Sequence, residues 1–363
     1  MLLRGCFRVL LFYDVAEAID LPKLRDLLGP RGGEVQHEFP RRTPDYVRFE
    51  QPPVVETVDD LTLNTGERLT CSIKYYAYAV AVVQFEMAFE CEWASLLAQA
   101  SHWIDAPELD THARRLVREH LVALAPAIIR PNQQWLQEGY LVVELQEVSG
   151  AGSERPSSAE LLSAHGPEIA QLIRGEVVPV APKIVEDTKE TSLSYYPSDL
   201  VVVGPSAALV YDRPEDATAT SYVLEYAKMQ LFEFRYYDGL MTRLLSGAYD
   251  ALEQKGNVLL SRWSLPRRAQ RLNALRLDVM ELTERVDNAI KFVSDIYYSR
   301  VYGLASKRMG VPDYRDLVDE KLRAMGRLYE FMMDQFNESR SFVLEAAITI
   351  LALLDVLFLL RGR

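Results

Sequence analysis

Heptad repeats between Asp212 and the C-terminus constrain the fold of this chain more than any other feature. Apolar side chains recur at alternating steps of three and four in three stretches, which span residues 223–248, 272–296 and 318–336. Such seams bury themselves against neighbouring helices at a shallow angle, and short loops make consecutive helices antiparallel. We therefore predict an antiparallel three-helix coiled-coil stalk over residues 212–341.

Before Asp212 the pattern changes to strands mixed with helices. Residues 4–13 and 69–89 are rich in Val, Phe and Tyr, which is typical of strands, and residues 199–203 and 207–211 flank a Gly-Pro-Ser turn. We predict an α+β cytosolic domain over residues 1–211, built on an antiparallel sheet.

The composition is that of a globular protein with an acidic surface. Hydrophobic residues make up 49% of the 363 residues, charged residues 25%, and the formal net charge is −12. A negative surface repels phosphate backbones, so we expect no direct binding of nucleic acid. The three cysteines, Cys6, Cys71 and Cys91, are widely spaced, which favours small buried side chains over a disulfide framework or a zinc site.

The C-terminal segment from Phe342 to Leu360 is almost wholly apolar. Its 19 residues include two charges, Glu345 and Asp355, and as a helix it spans roughly 28 Å, close to the thickness of a bilayer core. We predict a single transmembrane helix over residues 342–360, with a tail-anchored topology and the bulk of the chain cytoplasmic. The alternative is a buried core helix, which Asp355 favours because a carboxylate inside the bilayer is costly.

The same two acids suggest self-association. Glu345 and Asp355 lie about 80° apart around a helix, so they share one broad face. With one span per chain, a polar partner for an intramembrane acid must come from another copy, which predicts a homo-oligomer.

Motifs of enzyme active sites are missing from the sequence. No dinucleotide-binding, P-loop, zinc-protease or serine-hydrolase motif occurs. We therefore predict no catalytic residues, no cofactor, no metal site and no enzymatic activity. An enzyme whose site is assembled from scattered residues stays open as an alternative.

The densest polar cluster lies in the first predicted bundle helix and comprises Glu225, Gln230, Glu233, Arg235, Tyr237 and Asp238. One interpretation is a polar network or a surface for a partner. The other is a solvated helix face with pairs inside the helix, such as Glu225 with Lys228. Gln230 falls on the apolar seam, which predicts a buried hydrogen-bond partner for its amide.

Several C-terminal residues carry a family resemblance. Leu344 and Glu345, the apolar run after them and the acid at Asp355 resemble the end of the required-for-meiotic-nuclear-division family, although Ala346 stands where that family has Trp. The resemblance is best over residues 195–360. It implies a membrane-anchored, oligomeric scaffold and not a catalyst.

These observations lead to one functional hypothesis and three rivals. The hypothesis is a tail-anchored scaffold or assembly factor that acts through homo-oligomerisation and protein partners. The first rival is a channel or transporter subunit resembling the CorA class, although that class uses two spans and a Gly-Met-Asn loop, and this chain has neither. The others are the scattered-site enzyme and a fully soluble coiled-coil protein.

Overall fold

The computed structural model describes residues 1–34, 52–63, 66–77, 79–149, 155–253 and 296–361, together with helical positions between 266 and 280. Within these ranges the chain forms two compact units. The first comprises Met1–Tyr236 and Val286–Pro312, and the second comprises Tyr237–Arg285 and Asp313–Arg363. The helix that begins at Pro214 contributes residues to both units. The predicted domain boundary after residue 211 stays a prediction.

A nine-stranded sheet dominates the described part of the first unit. In chain order its strands are β1 (Leu2–Asp14), β3 (Gly32–Glu34), β4 (Val54–Thr62), β5 (Arg68–Tyr75), β6 (Val80–Cys91), β8 (Gln137–Ser149), β9 (Ser192–Leu193), β10 (Leu200–Val203) and β11 (Ala207–Tyr211). Their order in the sheet is β3-β4-β5-β6-β1-β8-β11-β10-β9. Strands β2 (Ala16–Ile19) and β7 (Ile128–Pro131) pair separately.

Eight helices lie in the continuous ranges that the structure describes. They are α1 (Leu21–Leu28), α2 (Trp93–Ile104), α3 (Pro107–Ala123), α4 (Ser158–Leu172), α5 (Pro182–Glu190), α6 (Pro214–Glu253), α7 (Ile296–Met309) and α8 (Val311–Arg361). A capping box of Ser157 and Glu160 begins α4, and satisfies backbone N–H groups that the first turn leaves free. Gly310, with φ of +87°, separates α7 from α8, because the left-handed conformation ends a helix at little cost for glycine.

Different kinds of side chain cover the two faces of the sheet. Alternate residues of β1, including Phe7, Val9 and Leu11, join the apolar side chains of α1 to α4 in one large core. The residues between them, including Arg8 and Phe12, face α6, and the rings of Phe12 and Phe232 lie 6.0 Å apart. The first half of α6 therefore covers the second face.

The predicted fold class is correct in being α+β and wrong in two respects. The sheet is mixed and not antiparallel, because β11 runs parallel to β8 while the other pairs are antiparallel. After β8 the chain passes through α4 and α5 and re-enters the sheet at its edge as β9. It then comes back through β10 to β11, which lies beside β8 and runs parallel to it.

The second error is the transmembrane helix. Residues 342–360 belong to α8, which begins at Val311 and continues without a break, so the third helix of the predicted stalk and the predicted span are one helix. Among the described residues, no helix contains a stretch long and apolar enough to cross a membrane. Glu345 and Asp355 interrupt the apolar run, and charged groups in the bilayer are costly. We therefore correct three further predictions as wrong: the membrane localisation, the tail anchor, and the intramembrane role of Glu345 and Asp355.

Candidate functional site

Charged side chains fill the space between the sheet and the first half of α6. We call this set the polar layer. Its members are Arg8, Lys74, Tyr76, Glu86, Glu138 and Glu144 from the sheet side, and Ser221, Tyr222, Glu225, Lys228 and Arg235 from α6. All of them lie in the first unit. Its four cationic and four anionic side chains balance in formal charge.

The centre of the layer is the carboxylate of Glu225. The ammonium of Lys74 on β5 lies 2.5 Å from it, and the hydroxyl of Tyr76 donates to its other oxygen over 2.7 Å. Lys74 and Glu225 are both almost wholly buried. Burial lowers the pKa of Lys74 and the carboxylate partly offsets this effect. The ring of Tyr222 lies 4.5 Å from the same ammonium, which adds a cation–π contact.

A second group is centred on Arg8 of β1. Its guanidinium lies 3.0 Å from Glu144 and 3.2 Å from Glu86, on the two neighbouring strands. The hydroxyl of Ser221 donates to the same Glu144 carboxylate over 2.5 Å. Burial opposes the charged form of Arg8, but the two carboxylates raise its pKa above the ordinary value. This group joins three strands to one turn of α6.

The third group is centred on Glu138, near the start of β8. The ammonium of Lys228 lies 2.5 Å from one of its oxygens, and the guanidinium of Arg235 lies 2.7 Å from the other. Burial alone would raise the pKa of Glu138, but these two cations hold it below its ordinary value. Glu138 is therefore an anion at neutral pH.

The predicted cluster on the first bundle helix is divided between the two units. Glu225 and Arg235 belong to the polar layer, and Glu233 is buried on the same helix. Lys228 pairs with Glu138 on the sheet. Gln230 is buried and its amide oxygen accepts a hydrogen bond from Tyr302 on α7.

The remaining predicted residues lie in the second unit. Tyr237 is buried there, and Asp238 lies 2.5 Å from the ammonium of Lys321 on α8. Glu345 is exposed on α8, and Asp355 lies near the end of the same helix. The side chain of Asp355 lies outside those the structure describes.

A cleft of about 580 Å³ opens beside Glu138. Its lining includes Lys228 and Arg235 from α6, the stretch from Gln137 to Tyr140, and residues 103–107, 109 and 110 at the junction of α2 and α3. The volume falls within the range of small-ligand pockets. In the described part of the chain, no group of three or more His, Cys, Asp or Glu is placed to hold a metal. The cleft therefore has the size of a small-ligand pocket and charged side chains in its lining.

Exposed apolar side chains crowd the C-terminal half of α8, in the second unit. Large apolar residues at least 37% exposed include Phe342, Val343, Leu344, Ile348, Ile350, Leu351, Leu353, Leu354, Val356 and Leu357. We call residues 342–357 the apolar segment. Contiguous exposed apolar surface is typical of interaction sites.

Comparison with protein families now places the chain. Residues 4–217 match the family described as "Uncharacterized protein MJ0711, N-terminal domain", which covers more than half of the sequence. The chain belongs to this family. Neither the curated proteins nor the solved structures give a match. The match includes every strand of the large sheet and ends in the first turn of α6, before Ser221. The resemblance to the required-for-meiotic-nuclear-division family stays a prediction.

The sequence interpretation missed the strand half of the polar layer. Glu138 and Glu144 lie at alternate positions of β8 on one face, as solvated strand residues do, so neither signalled burial. A usable signal existed in β1, where Cys6 and Leu10, the neighbours of Arg8 on the same face of the strand, are both apolar, unlike those of an exposed face. A second signal lay on α6, where the polar residues Ser221, Glu225 and Lys228 recur at steps of four and three and therefore share one helix face.

Proposed function

We propose that this protein is a non-catalytic scaffold that assembles into homo-oligomers through the apolar segment of α8. The observation that carries this proposal is the exposure of that segment, where Ile348, Leu351 and Leu357 are 60–65% exposed. Leaving such side chains in water forfeits about 25 cal/mol for each Å² of apolar surface. A partner that covers them gains this energy.

The distribution of side chains around the helix indicates more than one neighbour. With about 100° of rotation per residue, the run from Phe342 to Leu357 places most apolar side chains within an arc of roughly 200°. The remaining sector holds Glu345 and Thr349 together with Ile348 and Val356. A two-stranded coiled coil uses a stripe of about 100° or less. An assembly of three or more copies is therefore the favoured form.

The seam itself favours a second copy of this chain as the partner. Alternating steps of three and four link Val318, Leu322, Met325 and Met332 to Val343, Ile350, Leu353 and Leu357. The first four are at most 7% exposed, whereas the last four are 37–60% exposed. One helical seam thus begins covered within its own chain and continues uncovered, and helices with the same repeat fit it by knobs-into-holes packing.

The proposed role is structural because the polar layer lacks the features of a reacting group. Its carboxylates are each held by a cation or a hydroxyl, which suits fixed geometry better than proton transfer. Each oligomer would then contain several copies of the first unit, with its sheet and its cleft. A channel subunit of the CorA class requires membrane spans, so that alternative is not carried forward.

The oligomeric state of the purified full-length chain tests the proposal. We expect sedimentation velocity and mass photometry to give a trimer or larger species that dissociates on dilution. The double variant Ile350→Glu with Leu357→Glu places charges on the uncovered seam and should give monomers. Val122→Glu is the matched control, because Val122 is 79% exposed on α3 in the other unit and should not affect assembly.

Two outcomes would contradict the proposal. A wild-type chain that is monomeric at every accessible concentration has no self-assembly to explain. A double variant that keeps the wild-type oligomer distribution places the interface elsewhere, and the apolar segment then loses its role.

A further inference from the structure

Strand β8 has a free backbone edge where it lines the cleft beside Glu138. It begins at Gln137, but its neighbour β11 begins only at Ala207, which pairs with Leu141. On the other side, β1 pairs with β8 from Gln137 onward. The residues from Gln137 up to Leu141 therefore have a strand on one side and the cleft on the other.

The free edge presents a carbonyl and an N–H side by side. The N–H of Leu141 donates to the carbonyl of Ser206 over 3.2 Å, so the backbone of Leu141 faces β11. Backbone groups alternate between the two edges of a strand, so those of Gln137 and Gly139 face the cleft. Among the described residues, neither makes a backbone hydrogen bond on that side. The carbonyl of Gln137 and the N–H of Gly139 are therefore an acceptor and a donor next to each other.

The cleft is a slot, because it lies where the sheet lacks a strand between two covering layers. From α6 it is lined by Lys228 and Arg235, and from α3, on the opposite face of the sheet, by Leu109. Gly139 leaves the apolar side of the slot open, since a Cβ there would lie 3.5 Å from Cδ2 of Leu11. A slot one strand thick, with a donor and an acceptor along its edge, suits a planar ring.

Formal charges in the slot favour an uncharged ligand over an anion. Among the described lining residues, Asp105, Asp110 and Glu138 carry carboxylates, and Lys228 and Arg235 carry the cations. Both cations already contact the carboxylate of Glu138, at 2.5 Å and 2.7 Å. The lining therefore offers no excess of positive charge to a phosphate or carboxylate group.

We propose that the slot binds the adenine base of a small, uncharged nucleoside. Adenine carries an amino donor next to a ring nitrogen that accepts. The amino group would donate to the carbonyl of Gln137, and the ring nitrogen would accept from the N–H of Gly139. The ring would then continue the plane of the sheet, with Leu109 on one side. Small-molecule pockets are commonly oriented by a few backbone groups of this kind.

The occupant is a free nucleoside and not a nucleic acid. The chain has a formal net charge of −12, which repels a phosphate backbone. The inference also goes beyond the proposed scaffold role and does not rest on it, because the slot lies in the first unit and the apolar segment of α8 in the second.

Calorimetric titration of the full-length chain with adenosine tests this inference. We expect adenosine to bind, and purine riboside, which lacks the amino group, to bind at least about fivefold more weakly, because the Gln137 carbonyl then stays unpaired. AMP should bind no more tightly than adenosine, since its phosphate meets no excess of positive charge. Failure of adenosine to bind, or equal affinity for adenosine and purine riboside, would overturn the proposal.

Gly139 offers a matched pair of variants. Gly139→Pro removes an N–H that makes no bond within the sheet, and should weaken adenosine binding at least about fivefold. Gly139→Ala keeps the N–H, and its new Cβ would make an ordinary contact with Leu11, so binding should persist. Equal affinity of the two variants, both folded by circular dichroism, would contradict recognition by this edge.

Asp105→Lys tests the position of the ligand without touching the strand. Asp105 is exposed at the end of α2, and the structure shows no hydrogen bond or ion pair for it among the described residues, so the fold should be kept. The change gives the lining an excess of positive charge, so AMP should bind at least about fivefold more tightly than to the wild type, with adenosine unchanged. An unchanged affinity for AMP would place the ligand outside this cleft.

Discussion

Removing one partner of the buried pair at the centre of the polar layer should reveal its energetic role. In Lys74→Met the carboxylate of Glu225 keeps the hydrogen bond from Tyr76 but loses the ammonium 2.5 Å away. Leaving a buried charge without its counter-ion costs about 3–5 kcal/mol. Glu225 is 1% exposed, so water cannot restore much of this loss. We expect Lys74→Met to lower the free energy of unfolding by about that amount.

A second substitution should restore most of the lost stability. In the double variant Lys74→Met with Glu225→Gln, no charge is left unpaired, and the amide oxygen still accepts from the Tyr76 hydroxyl. Replacing a whole buried ion pair with neutral groups is often close to neutral. We therefore expect the double variant to lie within about 1–2 kcal/mol of the wild type. The difference from additivity measures the coupling of the two charges.

Urea unfolding followed by tryptophan fluorescence reports on the unit that contains the polar layer. Trp93, Trp103 and Trp135 all lie in the unit that contains the sheet. Arg4→Gln is a suitable control, because its ion pair with Glu90 on the same sheet is about half exposed and such pairs contribute little. If Lys74→Met costs less than about 1 kcal/mol, or if the two substitutions add without coupling, the buried pair is not a structural element.

Two further predictions concern single residues. Burial raises the pKa of Asp14 from 3.8 to about 7, so the folded state holds a proton that the unfolded state releases, and stability falls as pH rises from about 4 to 7. The free energy of unfolding of Asp14→Asn, measured in urea, should therefore exceed that of the wild type by about 2–4 kcal/mol at pH 8 and match it near pH 4. Equal free energies of unfolding at pH 8 would refute this prediction. Gln230→Leu removes the acceptor of the Tyr302 hydroxyl and should cost about 1–3 kcal/mol, so an unchanged or raised melting temperature would contradict it.

Local patterns predicted much of the secondary structure. Helix α1 ends where Gly29 and Pro30 predict, and the β10–β11 hairpin flanks the Gly-Pro-Ser turn as expected. Signals of this kind act over a few residues, so neighbouring side chains and backbone chemistry suffice to decide them. The start of α6 at Pro214 belongs to the same class, because a proline in the first turn costs no hydrogen bond.

Those local patterns could not predict which distant segments of the chain pair with each other. The parallel contact of β11 with β8 joins Ala207 to Leu141, and only the path of the intervening chain sets its direction. The membrane prediction failed for a related reason. Hydropathy measures how apolar a segment is, and a segment that is apolar on most sides has the same composition whether its partner is lipid or protein.

The polar layer explains how one long helix can be held in a single position on a sheet. Apolar contacts are non-directional, so an apolar face alone would tolerate a helix shifted by one turn, about 5.4 Å. Ser221, Glu225 and Lys228 instead meet fixed partners on two strands, Glu144 and Glu138 on β8 and Lys74 on β5. A shift of one turn would separate all three pairs and break the two buried ion pairs, Lys74 with Glu225 and Lys228 with Glu138, at about 3–5 kcal/mol each. The layer therefore costs desolvation energy and fixes the register of α6 on the sheet, which also fixes the positions of Lys228 and Arg235 in the cleft beside Glu138.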